Sequence, residues 1–175
     1  GQCAPSAVNG HLMDLGILLL RLVIGALLVG HGTQKLFAWF GGSGLDGTAK
    51  FFEAVGFRPG RPNAIVAGLS ECGAGLLIAL GLLTPLGGAM AAGTLIVAGS
   101  VNAKKGLWAT DGGYELPLVY AVIGACLAFI GPGAYSLDQA LGLTARWGVA
   151  SGLVALVLAV VGSGGFLAVS RRRAA

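Results

Sequence analysis

Five stretches of this chain are long and apolar enough to cross a lipid bilayer, and no other feature limits its fold as strongly. They run from Leu12 to Gly32, Asn63 to Leu83, Leu86 to Val101, Leu116 to Ile130 and Trp147 to Val169. A hydrocarbon core about 30 Å thick takes roughly 20 helical residues at 1.5 Å each, so the fourth stretch needs its flanking residues to span. Only 10% of the 175 residues are charged, where the surface of a soluble domain carries roughly a quarter to a third. The chain therefore reads as an all-α membrane protein, one compact bundle of membrane helices.

Two ionisable residues fall inside the apolar runs, Arg21 in the first and Glu71 in the second. An intramembrane charge pairs with another, lines a polar cavity or carries function. Counted from one face of the bilayer, Arg21 lies about ten residues deep and Glu71 about eight, which allows an ion pair between them. Such a pair would either fix the register of two helices or belong to a functional site.

Nine of the remaining basic residues fall on one side of the five spans: Lys35, Lys50, Arg58, Arg61, Lys104, Lys105, Arg171, Arg172 and Arg173. Arg146 alone falls on the other. The positive-inside rule then puts the N-terminus outside and the C-terminus in the cytoplasm of a bacterial inner membrane. Gly162 to Gly165 (GSGG) is expected to interrupt the helical pattern of the fifth span. The net charge of +4 comes from loop and tail residues and not from a basic stripe interleaved with aromatics, so nucleic acid is not an expected partner.

Cys3, Cys72 and Cys126 form no CxxC and no Cys/His cluster, which leaves neither a metal site nor a disulfide framework to expect. The first residues are polar, without the basic and apolar regions of a cleavable signal. Cys3 reads as an ordinary thiol, with lipidation as the alternative. Gly25, Gly68/Cys72, Gly88/Ala92 and Ala89/Gly93 place small residues at a spacing of four, as close helix packing in lipid requires.

Between the first two spans, Trp39 to Leu45 is an aromatic and glycine-rich turn. Asp46 or Thr48 is positioned to cap a short helix through Val55. Phe51, Phe52 and Val55 on one side, with Lys50 and Glu53 on the other, make that helix amphipathic, and it is expected to lie on the bilayer surface over the mouth of the bundle. Arg58-Pro59-Gly60-Arg61-Pro62 is expected to end it.

The residues His31-Gly32-Thr33-Gln34-Lys35-Leu36-Phe37, Trp39-Phe40-Gly41-Gly42, Gly44 to Thr48, Glu71-Cys72-Gly73, Gly81-Leu82-Leu83-Thr84-Pro85, Gly112 to Pro117 and Gly131 to Asp138 together resemble the signature of the DoxX family of small bacterial membrane proteins. The resemblance runs from about Leu15 to Leu143. It implies a four-helix membrane bundle associated with quinone-linked or thiol and oxidative-stress redox systems, often as a subunit of a larger assembly. It carries over no catalytic residue. The expected organisation is an N-terminal extension over 1–11, a DoxX-like bundle over 12–143, and an extra transmembrane helix with a basic tail over 144–175.

His31, Gln34 and Lys35 at the end of the first span, with Tyr114 and Glu115 at the start of the fourth, come at the same face. With Glu71 they form a candidate polar cluster able to hold a quinone head group or relay its protons. The alternative is helix-end capping and snorkelling at headgroup level. His11 and His31 stand about 30 Å apart on one helix, too far to share a haem iron. No GxGxxG opens a helix after a strand, so no flavin or nicotinamide fold is expected either. The chain is thus expected to hold no cofactor of its own, with quinone as the candidate ligand and lipid and a larger membrane complex as partners. Three functions fit: a quinone-binding subunit of a redox-linked assembly, a non-enzymatic anchoring subunit, and a small transporter with Arg21 and Glu71 on a polar path.

Overall fold

A computed structural model describes residues 7–172. Cys3 and Arg173 lie outside the described residues. Seven α-helices follow in order: α1 Ala7–Phe37, α2 Gly44–Ala54, α3 Gly60–Leu80, α4 Thr84–Asn102, α5 Glu115–Ile130, the single turn α6 Leu137–Ala140, and α7 Val149–Arg172. Among the described residues there is no strand. Four helices, α1, α3, α4 and α7, are long and apolar enough to cross a membrane, and α5 is a shorter apolar helix. Because α4 ends and α7 begins at opposite ends of the bundle, α5 and its flanking loops make the intervening crossing.

The chain packs in lipid by letting backbones approach. α1 lies along α3, and a Cβ on Gly25 would sit 2.6 Å from the Gly75 carbonyl oxygen. Gly88 of α4 meets Gly124 of α5 in the same way. Around these approaches Ile24, Leu28, Ala74, Ile78, Ala91, Leu95 and Leu127 form the buried core. The outward faces stay apolar; Leu12, Leu19, Val23, Val157 and Val161 are all exposed. That surface is stable only against lipid tails.

α7 joins the same bundle, packing on α4 and α5. Its Gly162-Ser163-Gly164-Gly165 segment does not interrupt it, contrary to the expectation from glycine propensity. In lipid the backbone has no water to turn to, so the helical hydrogen bonds persist through residues that would fray a soluble helix. Ser163 adds a bond from its hydroxyl to the Val160 carbonyl, 3.1 Å.

α2 begins at Gly44, ahead of Asp46 and Thr48, and neither residue caps it. Asp46 instead pairs with Arg61, and the Thr48 hydroxyl donates to the Lys35 carbonyl, 3.4 Å. Pro62 does not terminate anything: it sits in the first turn of α3, where a missing N–H costs nothing. The two ends of the bundle differ in charge. Lys35, Lys50, Arg58, Arg61, Lys104, Lys105 and Arg171 gather at the end where α1 stops and α3 starts, hereafter the basic end.

Candidate functional site

α3 and α7 both pack on α4 and are joined at the basic end. There the Ser170 hydroxyl donates to Asn63 Oδ1 at 3.2 Å, and the Arg58 N–H donates to the Ser170 carbonyl at 3.1 Å. Below that junction the two helices enclose a groove of about 570 Å³. Its floor is α4: Leu86, Ala89, Met90, Gly93, Thr94, Val97, Ala98, Val101 and Asn102. Their spacing by three and four defines one continuous helical face over nearly the whole of α4, roughly 24 Å. One wall is Val66, Ala67, Ser70 and Glu71 of α3; the other is Leu158, Ala159, Gly162, Ser163 and Phe166 of α7.

Aromatic side chains close the groove at the basic end. Phe57, 1% exposed, lies against Phe52 with ring centroids 5.6 Å apart and stacks on Phe166 at 6.2 Å. The Arg171 guanidinium stands 5.3 Å from the centre of the Phe57 ring, a favourable position over an aromatic face. The amphipathic α2 thus covers the mouth of the bundle as its sequence pattern predicts, with Phe51 and Phe52 both lining the groove and Phe51 the more exposed of the two.

One ion pair interrupts this apolar surface. Lys35, in the last turn of α1, places Nζ 2.6 Å from Glu71 Oε2. Glu71 is buried and lines the groove, and its Oε1 accepts no hydrogen bond among the described residues. The carboxylate therefore offers an acceptor to whatever occupies the groove, while Lys35 holds its charge in place.

Arg21 does not pair with Glu71. The register of α1 on α3 sets Gly32 against Gly68 and Cys72, which puts Glu71 beside the end of α1, about eleven residues or ~16 Å along the axis from Arg21. α1 also runs to Phe37, beyond the predicted end at Gly32, and that extension brings Lys35 within reach. Arg21, 1% exposed, donates instead to four carbonyls: Ile78 at 2.9 Å, Ala79 at 3.0 Å, Tyr135 at 3.0 Å, and Pro132. Ile78 and Ala79 lie in the last turn of α3, where the Ile78 carbonyl also accepts from the Gly81 N–H at 3.1 Å; the others belong to the loop after α5. Arg21 is a clamp at the end of the bundle opposite the basic one, and it does not line the α3–α4–α7 groove.

The expected polar cluster divides into three. Lys35 and Glu71 form the pair in the groove. His31 lies one turn before Lys35, whose Nζ donates to the His31 carbonyl at 3.5 Å, but its imidazole bonds Gln34 at 3.2 Å and stands edge-on to Tyr120, and Gln34 donates to the Phe40 carbonyl. Tyr114 and Glu115 stand at the start of α5, where Glu115 Oε2 accepts from the Ala109 N–H of the preceding loop at 2.9 Å. Among the described residues no three His, Cys, Asp or Glu side chains stand close enough to hold a metal ion.

Asp138 is a key polar residue that the apolar pattern does not announce. Fully buried, it accepts bonds from the Leu83 N–H (2.7 Å), the Thr84 N–H (2.9 Å), the Thr84 hydroxyl (2.8 Å) and the Trp147 indole (2.9 Å). It caps the start of α4 from 54 residues away and carries the negative charge that a helix N-terminus favours. The two sequence motifs Gly81 to Pro85 and Gly131 to Asp138 meet here.

The model of the DoxX family matches residues 16–103. A relative in Escherichia coli (strain K12), "Inner membrane protein YqjF", is 33% identical over 142 residues, covering 74% of this chain and 95% of the relative. The chain belongs to the DoxX family. A second relative, "Putative oxidoreductase CatD" of Bacillus subtilis (strain 168), is 34% identical over 83 residues, 47% of this chain and 56% of that protein. No solved structure matches significantly. The DoxX model covers Lys35, Glu71 and the α4 floor of the groove, while the α7 wall lies beyond it.

Proposed function

We propose that this DoxX protein is a membrane subunit of a redox-linked assembly and that it binds a quinone by its isoprenoid tail and head group in the α3–α4–α7 groove. The observation that carries this reading is the Lys35–Glu71 pair set into a largely apolar groove that runs along one face of α4 and opens toward lipid. A long hydrocarbon tail suits the groove's length and lining. A head group with carbonyl or hydroxyl oxygens finds an ammonium donor in Lys35 and an acceptor in Glu71 Oε1. The oxidoreductase name of the Bacillus subtilis relative points in the same direction. The gathering of basic residues at one end supports a cytoplasmic C-terminus and an external N-terminus in a bacterial inner membrane, and the electron carrier itself would reside on a partner protein docked there.

The test is extraction of lipids from protein purified in mild detergent, with quinone quantified by mass spectrometry. Gly162 lines the groove, and a Cβ there meets nothing within 4 Å, so Gly162→Phe introduces a ring to occupy the groove. Near-stoichiometric quinone in the unaltered protein, lost in Gly162→Phe, is the expected result. Absence of quinone, or equal amounts in both proteins, overturns the proposal and leaves an anchoring subunit.

A further inference from the structure

We propose that a second cleft, between α4 and α5 at the basic end, binds one anionic phospholipid, with an acyl chain in the cleft and the phosphate against Arg171 and Lys104. The cleft lies on the other side of α4 from the quinone groove and encloses about 230 Å³. Leu95 and Gly99 form its floor and Pro117, Leu118 and Ala121 its far wall. It faces the membrane, since Ile96 and Leu118 on its edges are 37% and 45% exposed.

Its rim is charged. Arg171 reaches over from α7 and donates to the Ser100 hydroxyl at 3.1 Å and to the Ser100 carbonyl at 3.4 Å, both on the cleft's edge. Lys104 follows Ala103 of the cleft and is exposed. Neither cation forms an ion pair among the described residues. Of the acids at this end, Asp46 pairs with Arg61 and Glu71 with Lys35, while Glu53 and Glu115 accept from the Gly60 and Ala109 N–H groups and keep their charge. Asp111 and Glu115 of the α4–α5 connection stand against Lys104, Lys105 and Arg171, so the rim keeps a net positive charge. Tyr114 also lines the cleft, and its hydroxyl has no hydrogen-bond partner among the described residues. Basic pockets between membrane helices select anionic head groups, each cation near the surface contributing about 1 kcal/mol, or roughly fivefold.

The full chain in mild detergent, stripped of lipid, is offered equal amounts of phosphatidylglycerol and phosphatidylcholine with identical acyl chains and read by native mass spectrometry. The expected result is one phosphatidylglycerol adduct retained in preference to phosphatidylcholine. Arg171→Gln and Lys104→Gln each reduce that preference about fivefold, while Arg58→Gln, at the same end but away from the cleft, leaves it unchanged. Equal retention of the two lipids in the unaltered protein overturns the site, and so does a loss in Arg58→Gln as large as that in Arg171→Gln. The unaltered protein carries the lipid comparison even if a variant fails to fold.

Discussion

Lys35 Nζ stands 2.6 Å from Glu71 Oε2, and the two partners are unequally buried: Glu71 retains 3% of its side-chain exposure and Lys35 25%. The unequal burial makes their removal unequal. Lys35→Met strands a carboxylate in an apolar wall, at a cost of about 3 to 5 kcal/mol. Glu71→Gln leaves an ammonium on a long stem that can turn toward the headgroups, at a cost of about 1 to 2 kcal/mol. Glu115→Gln keeps a carbonyl oxygen for the Ala109 N–H and costs within about 0.5 kcal/mol. Thermal unfolding in one detergent is expected to rank the losses in that order; equal midpoints for Glu71→Gln and Glu115→Gln would contradict it.

Arg21→Lys is expected to fail as a conservative exchange. The guanidinium reaches four carbonyls from three nitrogens in a planar fork, Nε to Ile78, Nη2 to Ala79, and Nη1 to both Tyr135 and Pro132. A lysine ammonium is shorter and concentrates three donors on one atom, leaving at least one buried carbonyl without a partner at a cost of about 2 to 3 kcal/mol. The loop over Gly131 to Ser136 loses its tether, so limited proteolysis should cut there in the variant and not in the unaltered protein.

The membrane spans were legible because a hydrocarbon core imposes length and apolarity on each helix separately. Glycine spacing likewise announced the close approaches, and Gly25, Gly68 and Gly88 all lie where another helix comes near. Pairing of charges was not legible, because it depends on how two helices slide past each other. A shift of eleven residues exchanges Arg21 for the end of α1 as the neighbour of Glu71, and no local pattern fixes that shift. Asp138 escaped for a similar reason: its partners Leu83 and Thr84 are joined to it only by the return of the chain after α5. The available signal was that two polar, glycine- and proline-bearing motifs both fall at one end of the bundle. The α7 wall of the groove could not be read at all from the sequence, since a lipid-facing glycine and a groove-lining glycine look alike.

Asp138→Asn tests the cap on α4. The carboxylate accepts from three donors through Oδ2 and one through Oδ1. An asparagine has one carbonyl oxygen, so its NH₂ must face an N–H or O–H donor, at an expected cost of about 2 to 3 kcal/mol. The orientation that keeps the oxygen at the Oδ2 position retains the Thr84 and Trp147 bonds and faces the NH₂ to the Leu83 N–H. Asp138→Ala removes both oxygens, so with Trp39 and Trp108, both exposed, replaced by Phe, the emission of Trp147 should shift on Asp138→Ala and stay close to the parent's on Asp138→Asn.

Gly25→Ala and Gly162→Ala isolate close approach from helix propensity, since both glycines lie inside long membrane helices. A methyl at Gly25 would stand 2.6 Å from the Gly75 oxygen and 2.7 Å from the Ala79 Cβ, whereas at Gly162 it meets nothing within 4 Å. Relieving the first clash requires α1 and α3 to move apart along their whole interface, with an expected loss of about 1 to 3 kcal/mol. The second substitution gains the better helix former at no steric cost, up to about 1 kcal/mol. Opposite shifts of the thermal midpoint are therefore expected. Shifts of the same sign would mean that α1 does not sit on α3 at van der Waals distance, and would undo the register that separates Arg21 from Glu71.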